Sequence, residues 1–456
     1  MGPLQEYSTS LTFFPLPPAA TVGPVTAKVP VFTYGLDERD RTEDWNPPFD
    51  FNNASAGPGG KNQHEQLRLR TRIWGTLSAP HSDVQLNVKL TNEMNKSIYT
   101  HVKLNDNEIF FDQLNIKFNK TFIKGLTFQA GRMDWIKGDG FMFMDGTGGD
   151  GSRASYYNMV NIAYTHKKSQ LEVVGILNPR LEHLFPLVHN QKTALDDWND
   201  QAIGLYYTDR NRSNTDIDAY YMLKKEIKDP RAATNSLFQP NKHTNTIGAR
   251  ILHRMPNGLS IKGEGALQFD AVRANPAQTL KATSWTAFAG YVTVTKQFLN
   301  TPGKPFVEGG YTVLSGSDQQ KDGVGFDPLF SRWPRYSELY AYSLVNEKGI
   351  SYLSNDGILT LEAGVIPVKK IVLRAALYQH NAFKSINAFS PTVFGTGTNR
   401  GENLQLRSDI LLSKNWIGHI LYEKWWAGNF YAHQDPAYFF RGEVTYTFRG
   451  KVGAAR

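Results

Sequence analysis

Apolar and polar residues alternate singly along much of this chain. From Tyr438 the sequence reads YFFRGEVTYTF: Phe440, Gly442, Val444, Tyr446 and Phe448 share one face, and Arg441, Glu443, Thr445 and Thr447 share the other. Period-2 alternation is the mark of a strand with two unlike faces. The same pattern recurs at Val84, Leu86, Val88 and Leu90 against Gln85, Asn87, Lys89 and Thr91. It recurs again at Leu69 and Ile73 against Arg68, Arg70 and Arg72, and at Leu404, Leu406 and Ile410 against Gln405, Arg407 and Asp409. Strand-sized segments follow one another about every twenty residues, and amphipathic helical segments are scarce.

The connections carry a second pattern. Tight turns fall near Ala79–His81, Asn119–Lys124, His166–Ser169, Arg210–Asn214, Pro256–Gly258, Thr301–Lys304, Ile366–Lys369 and Ser413–Asn415. Longer loops interleave with them, at 37–65, 95–107, 136–154, 180–199, 227–243, 270–282, 316–351, 384–400 and 431–436. A soluble sandwich has no reason to alternate loop length, whereas an outer-membrane barrel has short periplasmic turns and long extracellular loops. The pattern predicts an all-β transmembrane antiparallel β-barrel of about eighteen strands over 28–448, its termini in the periplasm. The first strand is expected at Lys28–Gly35, where Pro30 is acceptable at a strand start. Residues 1–27 read as an N-terminal periplasmic segment of a mature chain, since no basic n-region or cleavage site is visible, and 449–456 read as a C-terminal tail.

Composition agrees. Mean hydropathy is −0.42, and no apolar run suits a transmembrane helix. A barrel strand is apolar on one face only, so averaging conceals it. Aromatics reach 12% and glycines number 39. The chain has no cysteine, which excludes disulfides and cysteine metal sites and fits an extracytoplasmic compartment.

Eighteen strands enclose an aqueous channel, so lumen-facing side chains decide what passes. Parity places Arg68, Arg70, Arg72, Lys89, Lys117, Lys224, Arg250, Lys262, Arg374, Arg407 and Arg441 inside, with Glu93, Glu172, Asp218, Glu264, Glu308, Glu362, Asp409 and Glu443. The lining is mixed with a basic excess, in line with the formal charge of +8. A basic lining lowers the barrier for anions; the plainer reading is a lumen of cross-strand ion pairs. Arg68, Arg70 and Arg72 stand out because three like charges on one strand face repel unless acids or an anionic solute answer them.

The segment LTFQAGRMDWIKGDGFMFMDGTGGDGSR at 126–153 resembles the Gly-Arg strand and loop of bacterial alginate-export outer-membrane proteins. LRTRIWG at 69–75 resembles that family's arginine-bearing second strand, and the C-terminal layout is similar too. The resemblance runs over about 28–448. It implies an eighteen-stranded barrel with an electropositive lumen that passes an anionic polysaccharide, with outer-membrane lipid and periplasmic export proteins as further partners. It also implies that Arg70 and Arg132 are pore arginines. Strict alternation through Leu126, Phe128 and Ala130 turns Arg132 outward instead. A bulge at Gly131 is the expected route inward.

Other signals are weaker. Asp139, Asp145 and Asp150 among glycines do not match a calcium loop, and an ordered loop folding into or over the pore is the expectation. GTGGDGS lacks the Lys-Ser/Thr of a phosphate loop. No catalytic pairing, cofactor motif, metal set or nucleic-acid motif is read. Trp425–Trp426 and Tyr438–Phe440 read as membrane-interface girdle, with carbohydrate stacking on Trp425 or Trp426 as the sharper alternative. The functional expectation is an export channel for an alginate-like polysaccharide. Its alternatives are an anion-selective or general porin for small solutes, and a plugged barrel with an adhesin or structural role.

Overall fold

The computed structural model describes residues 30–47, 51–54, 64–80, 83–97, 109–119, 123–144, 157–185, 187–188, 199–227, 242–272, 284–316, 325–331, 335–342, 353–388 and 390–453. Among them the strands are β1 (Val31–Asn46), β2 (His64–Ser78), β3 (Val84–Ser97), β4 (Ile109–Asn119), β5 (Leu126–Met133), β6 (Tyr157–His166), β7 (Ser169–Asn178), β8 (Leu187–Val188), β9 (Asn199–Asp209) and β10 (Thr215–Ile227). The second half adds β11 (Lys242–Arg254), β12 (Leu259–Val272), β13 (Ser284–Gln297), β14 (Phe306–Leu314), β15 (Asp356–Val368), β16 (Ile371–Asn381), β17 (Asn399–Leu411), β18 (Trp416–Ala427) and β19 (Ala437–Val452). One short helix, α1 (Glu338–Tyr342), precedes β15.

β8 has two residues, and the other eighteen strands make a closed antiparallel wall, because β1 pairs with both β2 and β19. Closure leaves no strand edge open, which is what a sheet crossing lipid requires. The eight tight turns expected from sequence join consecutive wall strands. Faces follow parity: Ile73, Ile203 and Leu361 are 57–59% exposed on the outside, while Arg70, Asp218 and Glu362 are at most 3% exposed within.

Both ends of the wall correct the expected boundaries. β1 does not stop at Gly35 but continues to Asn46, and its inner face carries Arg39, Arg41 and Glu43. Sixteen residues of strand span roughly 50 Å, about twice the apolar band of an outer-membrane barrel. The upper half of β1 is therefore polar on both faces and shows no hydropathic period. β19 likewise runs past Phe448 to Val452, held by Phe32↔Val452 and Tyr34↔Gly450, so the expected tail begins in a paired strand.

The apolar core lies inside the barrel. After β5 the chain turns inward, and Trp135, Phe141 and Phe143 pack against the wall residues Tyr206, Tyr220 and Tyr291 and against Phe326 and Leu329. The segment after β14 enters beside it and ends in α1, whose Tyr340 stacks on Trp425 at 5.6 Å. Trp425 is fully buried, in contact with His380 and Phe51 as well, so it is not part of a lipid-facing girdle; Trp426, 45% exposed, is on the outer face. Phe439 is inside for the same reason of parity, and Phe440 outside.

Candidate functional site: a lumen lined by paired cations

Among the described residues several groups of cations line the inner wall, and three of them hold the expected pathway residues. The largest runs along β19, β1, β2 and β3. Register sets Arg39 opposite Arg70, Arg41 opposite Arg68, and Asp37 opposite Arg72; on the other side of β1, Arg41 faces Glu443 and Glu43 faces Arg441. Residues two apart on a strand are spaced by about 7 Å, so Arg68, Arg70 and Arg72 form a stripe up the wall. All three are buried.

Acids answer the stripe. Arg68 Nη1 donates to Glu43 Oε2 at 3.0 Å, and Arg441 Nε to Glu43 Oε1 at 2.7 Å. Lys89 Nζ lies 3.2 Å from Asp134 and 3.8 Å from Asp112. The middle of the stripe is less satisfied. Arg70 is 3.8 Å from Asp37 and Arg39 3.6 Å from Glu93. Among the described residues, two guanidinium nitrogens each of Arg39, Arg70 and Arg72 make no hydrogen bond. Arg72 keeps Asp112 at 3.3 Å, so the middle of the stripe is held by ion pairs rather than by close hydrogen bonds, and a buried charge held in that way is costly.

The second group gathers on the loop that enters after β5. Asp139, at its tip, lies 2.8 Å from Arg250 Nη2 on β11 and 2.7 Å from Lys262 Nζ on β12. It also accepts from Tyr291 Oη at 3.0 Å, and Arg335 of the other inserted segment is 3.8 Å away. Burial alone would raise the Asp139 pKa, but Lys262, Arg250 and Arg335 outweigh it and hold the carboxyl well below its usual range. The described part of the expected loop, up to residue 144, thus enters the pore, and Asp145 and Asp150 lie outside the described residues. The third group pairs Arg374 and Arg407 with Asp409 at 3.0 and 2.8 Å.

Nine of the ten expected pathway residues therefore face the lumen: Arg68, Arg70, Arg72, Lys89, Arg250, Lys262, Arg374, Arg407 and Arg441. Arg132 does not. The β5 ladder stays in register through Gly131 on both sides, with Asn115↔Gly131 and Gly131↔Met159. Gly131 takes a φ of +121° without adding a residue, so no bulge reverses the alternation. Met133 and Met159 pack in the inner core, which leaves Arg132 and Asn158 on the outer face. Arg132 nonetheless avoids lipid. The chain after β7 crosses the outside of the wall and adds β8 to β4 at Ile109↔Val188. This strap covers Arg132 with Glu182, as an ion pair, and with the Phe185 ring at 4.4 Å. Asn158 Oδ1 and the Phe111 carbonyl accept its other donors at 2.8 and 2.9 Å.

Arg39, Arg41 and Arg335 were missed by sequence reading. Arg39, Arg41 and Glu43 do alternate with Asp40, Thr42 and Asp44, but both sets are polar, so only the register reveals the inner face.

The family model for alginate export matches residues 49–443. Among solved structures, the chain is similar to OccK9 (OpdG) of Pseudomonas aeruginosa, with a TM-score of 0.57, 11% identity, and 92% of this chain and 98% of that chain covered. It is also similar to OpdQ of Pseudomonas aeruginosa, with a TM-score of 0.54 and 10% identity over 92% of this chain and 98% of that one. At that identity the likeness is one of fold. No curated protein sequence matches significantly.

Proposed function

The chain belongs to the alginate export family and is a channel of the bacterial outer membrane; we propose that its solute is an anionic, alginate-like polysaccharide moved along the arginine stripe. The family and fold are those of transport rather than catalysis. One observation carries the reading of the solute: Arg39, Arg41, Arg68, Arg70 and Arg72 gather on one strip of inner wall, where the acids nearest Arg39 and Arg70 stand 3.6–3.8 Å away. A guanidinium presents a planar fork that matches a carboxylate. A polymer bearing a carboxylate on each residue supplies acceptors in series, so each step exchanges one set of contacts for the next. Acids nearby, such as Asp37 and Glu93 at 3.6–3.8 Å, keep the guanidiniums from holding the solute too tightly.

Single-channel recording with polyuronate on one side tests this. The expected result is current block by polyuronate and not by neutral dextran, together with polyuronate delivery across a proteoliposome membrane. Block without delivery would favour the second reading, a channel for small anions. That reading draws on the aromatic packing of Trp135, Phe141 and Phe143 inside the barrel, which narrows the lumen. Equal block by both polymers would overturn the anionic reading.

A further inference from the structure

We propose that Asp139 is a tethered stand-in for the solute: its carboxylate fills a carboxylate-binding site built by Arg250, Lys262, Arg335 and Tyr291, and an incoming carboxylate displaces it. The proposal rests on the reading of the channel as an anion conduit and names the site at which the anion is received.

The geometry is that of a bound ligand rather than a wall ion pair. Asp139 does not come from a wall strand. It is held at the tip of a chain excursion between Gly138 and Gly140, whose φ angles of +55° and +73° make the tip sharp. A side chain at Gly138 would place its Cβ 2.9 Å from Arg250 Cδ, so the close approach to the arginine requires glycine there. Each carboxylate oxygen is occupied: Oδ1 by Arg250 Nη2 at 2.8 Å, Oδ2 by Lys262 Nζ at 2.7 Å and Tyr291 Oη at 3.0 Å. Arg335 Nη2 stands 3.8 Å from Oδ2. These donors come from β11, β12, β13 and the second inserted segment, four separate stretches converging on one carboxylate.

The charge distribution makes exchange the low-cost route. If the tip withdrew with nothing in its place, Arg250 would keep Asp218 at 3.3 Å. Lys262 and Arg335 have no other carboxylate within ion-pair distance among the described residues. Their charge would then be answered only by more distant acids, Glu264 for Arg335 and Glu362 for Lys262, which is unfavourable at a buried site. A solute carboxylate entering as Asp139 leaves removes that cost. Glu264, hydrogen-bonded by Tyr220 Oη at 3.0 Å, borders the site and acts on Arg335 from beyond ion-pair distance.

Exchange at this point also moves the packing that fills the lumen. Phe141 and Phe143 belong to the same excursion, which is closed by Lys137 N to the Phe143 carbonyl at 3.0 Å. Ser331 Oγ donates to the Gly140 carbonyl, joining the two inserted segments. Displacing Asp139 therefore loosens the aromatic contacts of Phe141 with Tyr291 and Phe326. Arrival of the anion is coupled to widening of the path it takes.

The probe is digalacturonate, with its uncharged methyl ester as control. In planar bilayers, Asp139→Asn removes the competing charge and is expected to lower the half-blocking concentration of digalacturonate on the order of ten-fold, the size of one charge-assisted contact. Adding Arg335→Gln to that variant is expected to raise it again, and the ester is expected to show neither change. An unchanged or raised half-blocking concentration in Asp139→Asn overturns the proposal. A second measurement needs no variant: in the wild-type barrel, digalacturonate is expected to speed amide hydrogen exchange at Lys137–Phe143, and unchanged or slower exchange overturns it. If polyuronate is never delivered across the membrane yet Asp139→Asn tightens digalacturonate block, the polysaccharide reading fails and the site stands. If delivery occurs and block is unchanged, only the site fails.

Discussion

Arg132 and Glu182 form an ion pair on the outer face of the barrel, beneath the strap that carries β8 to β4. Both side chains are almost fully buried, at 0% and 2% exposure. The pair does not line the pore. It pins a piece of extracellular loop across the top of β5 and β6, where β5 leaves the wall and dives into the lumen.

Replacing Arg132 by Leu strands the Glu182 carboxylate in a covered site. The expected loss is about 3–5 kcal/mol, typical of breaking a buried pair by removing one partner. The double variant Arg132→Leu/Glu182→Leu should recover much of that loss, and anion selectivity should be unchanged in both. Urea unfolding in lipid vesicles, followed by tryptophan fluorescence, measures the first two. A single variant as stable as the wild type would refute the pinning role.

The strap is also expected to be acid-labile. Burial pushes the Glu182 pKa up, but Arg132 and the amides of Phe185 and Leu184 outweigh it, so the folded value lies below the ordinary 4.5. The proton is therefore bound more tightly in the released state. Stabilisation is complete above about 4.5 and declines as pH falls below it, towards the folded pKa. Protease sensitivity of the strap between pH 7 and pH 3 reads this directly. Onset already at neutral pH would contradict it.

Changing Arg68, Arg70 and Arg72 together to Gln removes the Arg68 pairs of Glu43 and Glu93, the Arg72 pair of Asp112 and the Arg70 pair of Asp37. Anion preference is expected to fall and to pass over to cations, because the stripe's remaining charge is acidic. Reversal potentials in a salt gradient give the sign. An unshifted potential would place these arginines outside the conducting path.

Trp425 holds α1 inside the barrel through Tyr340. Truncating it to Ala should cost about 3–5 kcal/mol of packing and free α1 from the wall, raising the single-channel conductance. Unchanged conductance in a folded Trp425→Ala barrel would show that α1 does not restrict the pore.

The wall was legible in the sequence because two rules act locally on every strand. Lipid accepts only one kind of side chain, so Ile73, Leu361 and Phe448 had to alternate with polar residues, and the turns had to be short on one side. Parity then placed Arg70, Arg250 and Arg407 inside without knowledge of any partner. Where a stretch leaves the apolar band, as in β1 beyond Leu36, both faces are polar and that signal ends. Arg39 and Arg41 became visible only through their register with Arg70 and Arg68. Tertiary structure alone decided what happens at the ends of strands. That β5 turns into the lumen, that Asp139 meets Arg250, Lys262 and Arg335, and that Glu182 reaches Arg132 from outside are contacts between residues 50 to 196 positions apart. No local period encodes such distances, because each depends on where a long loop folds once the barrel has closed.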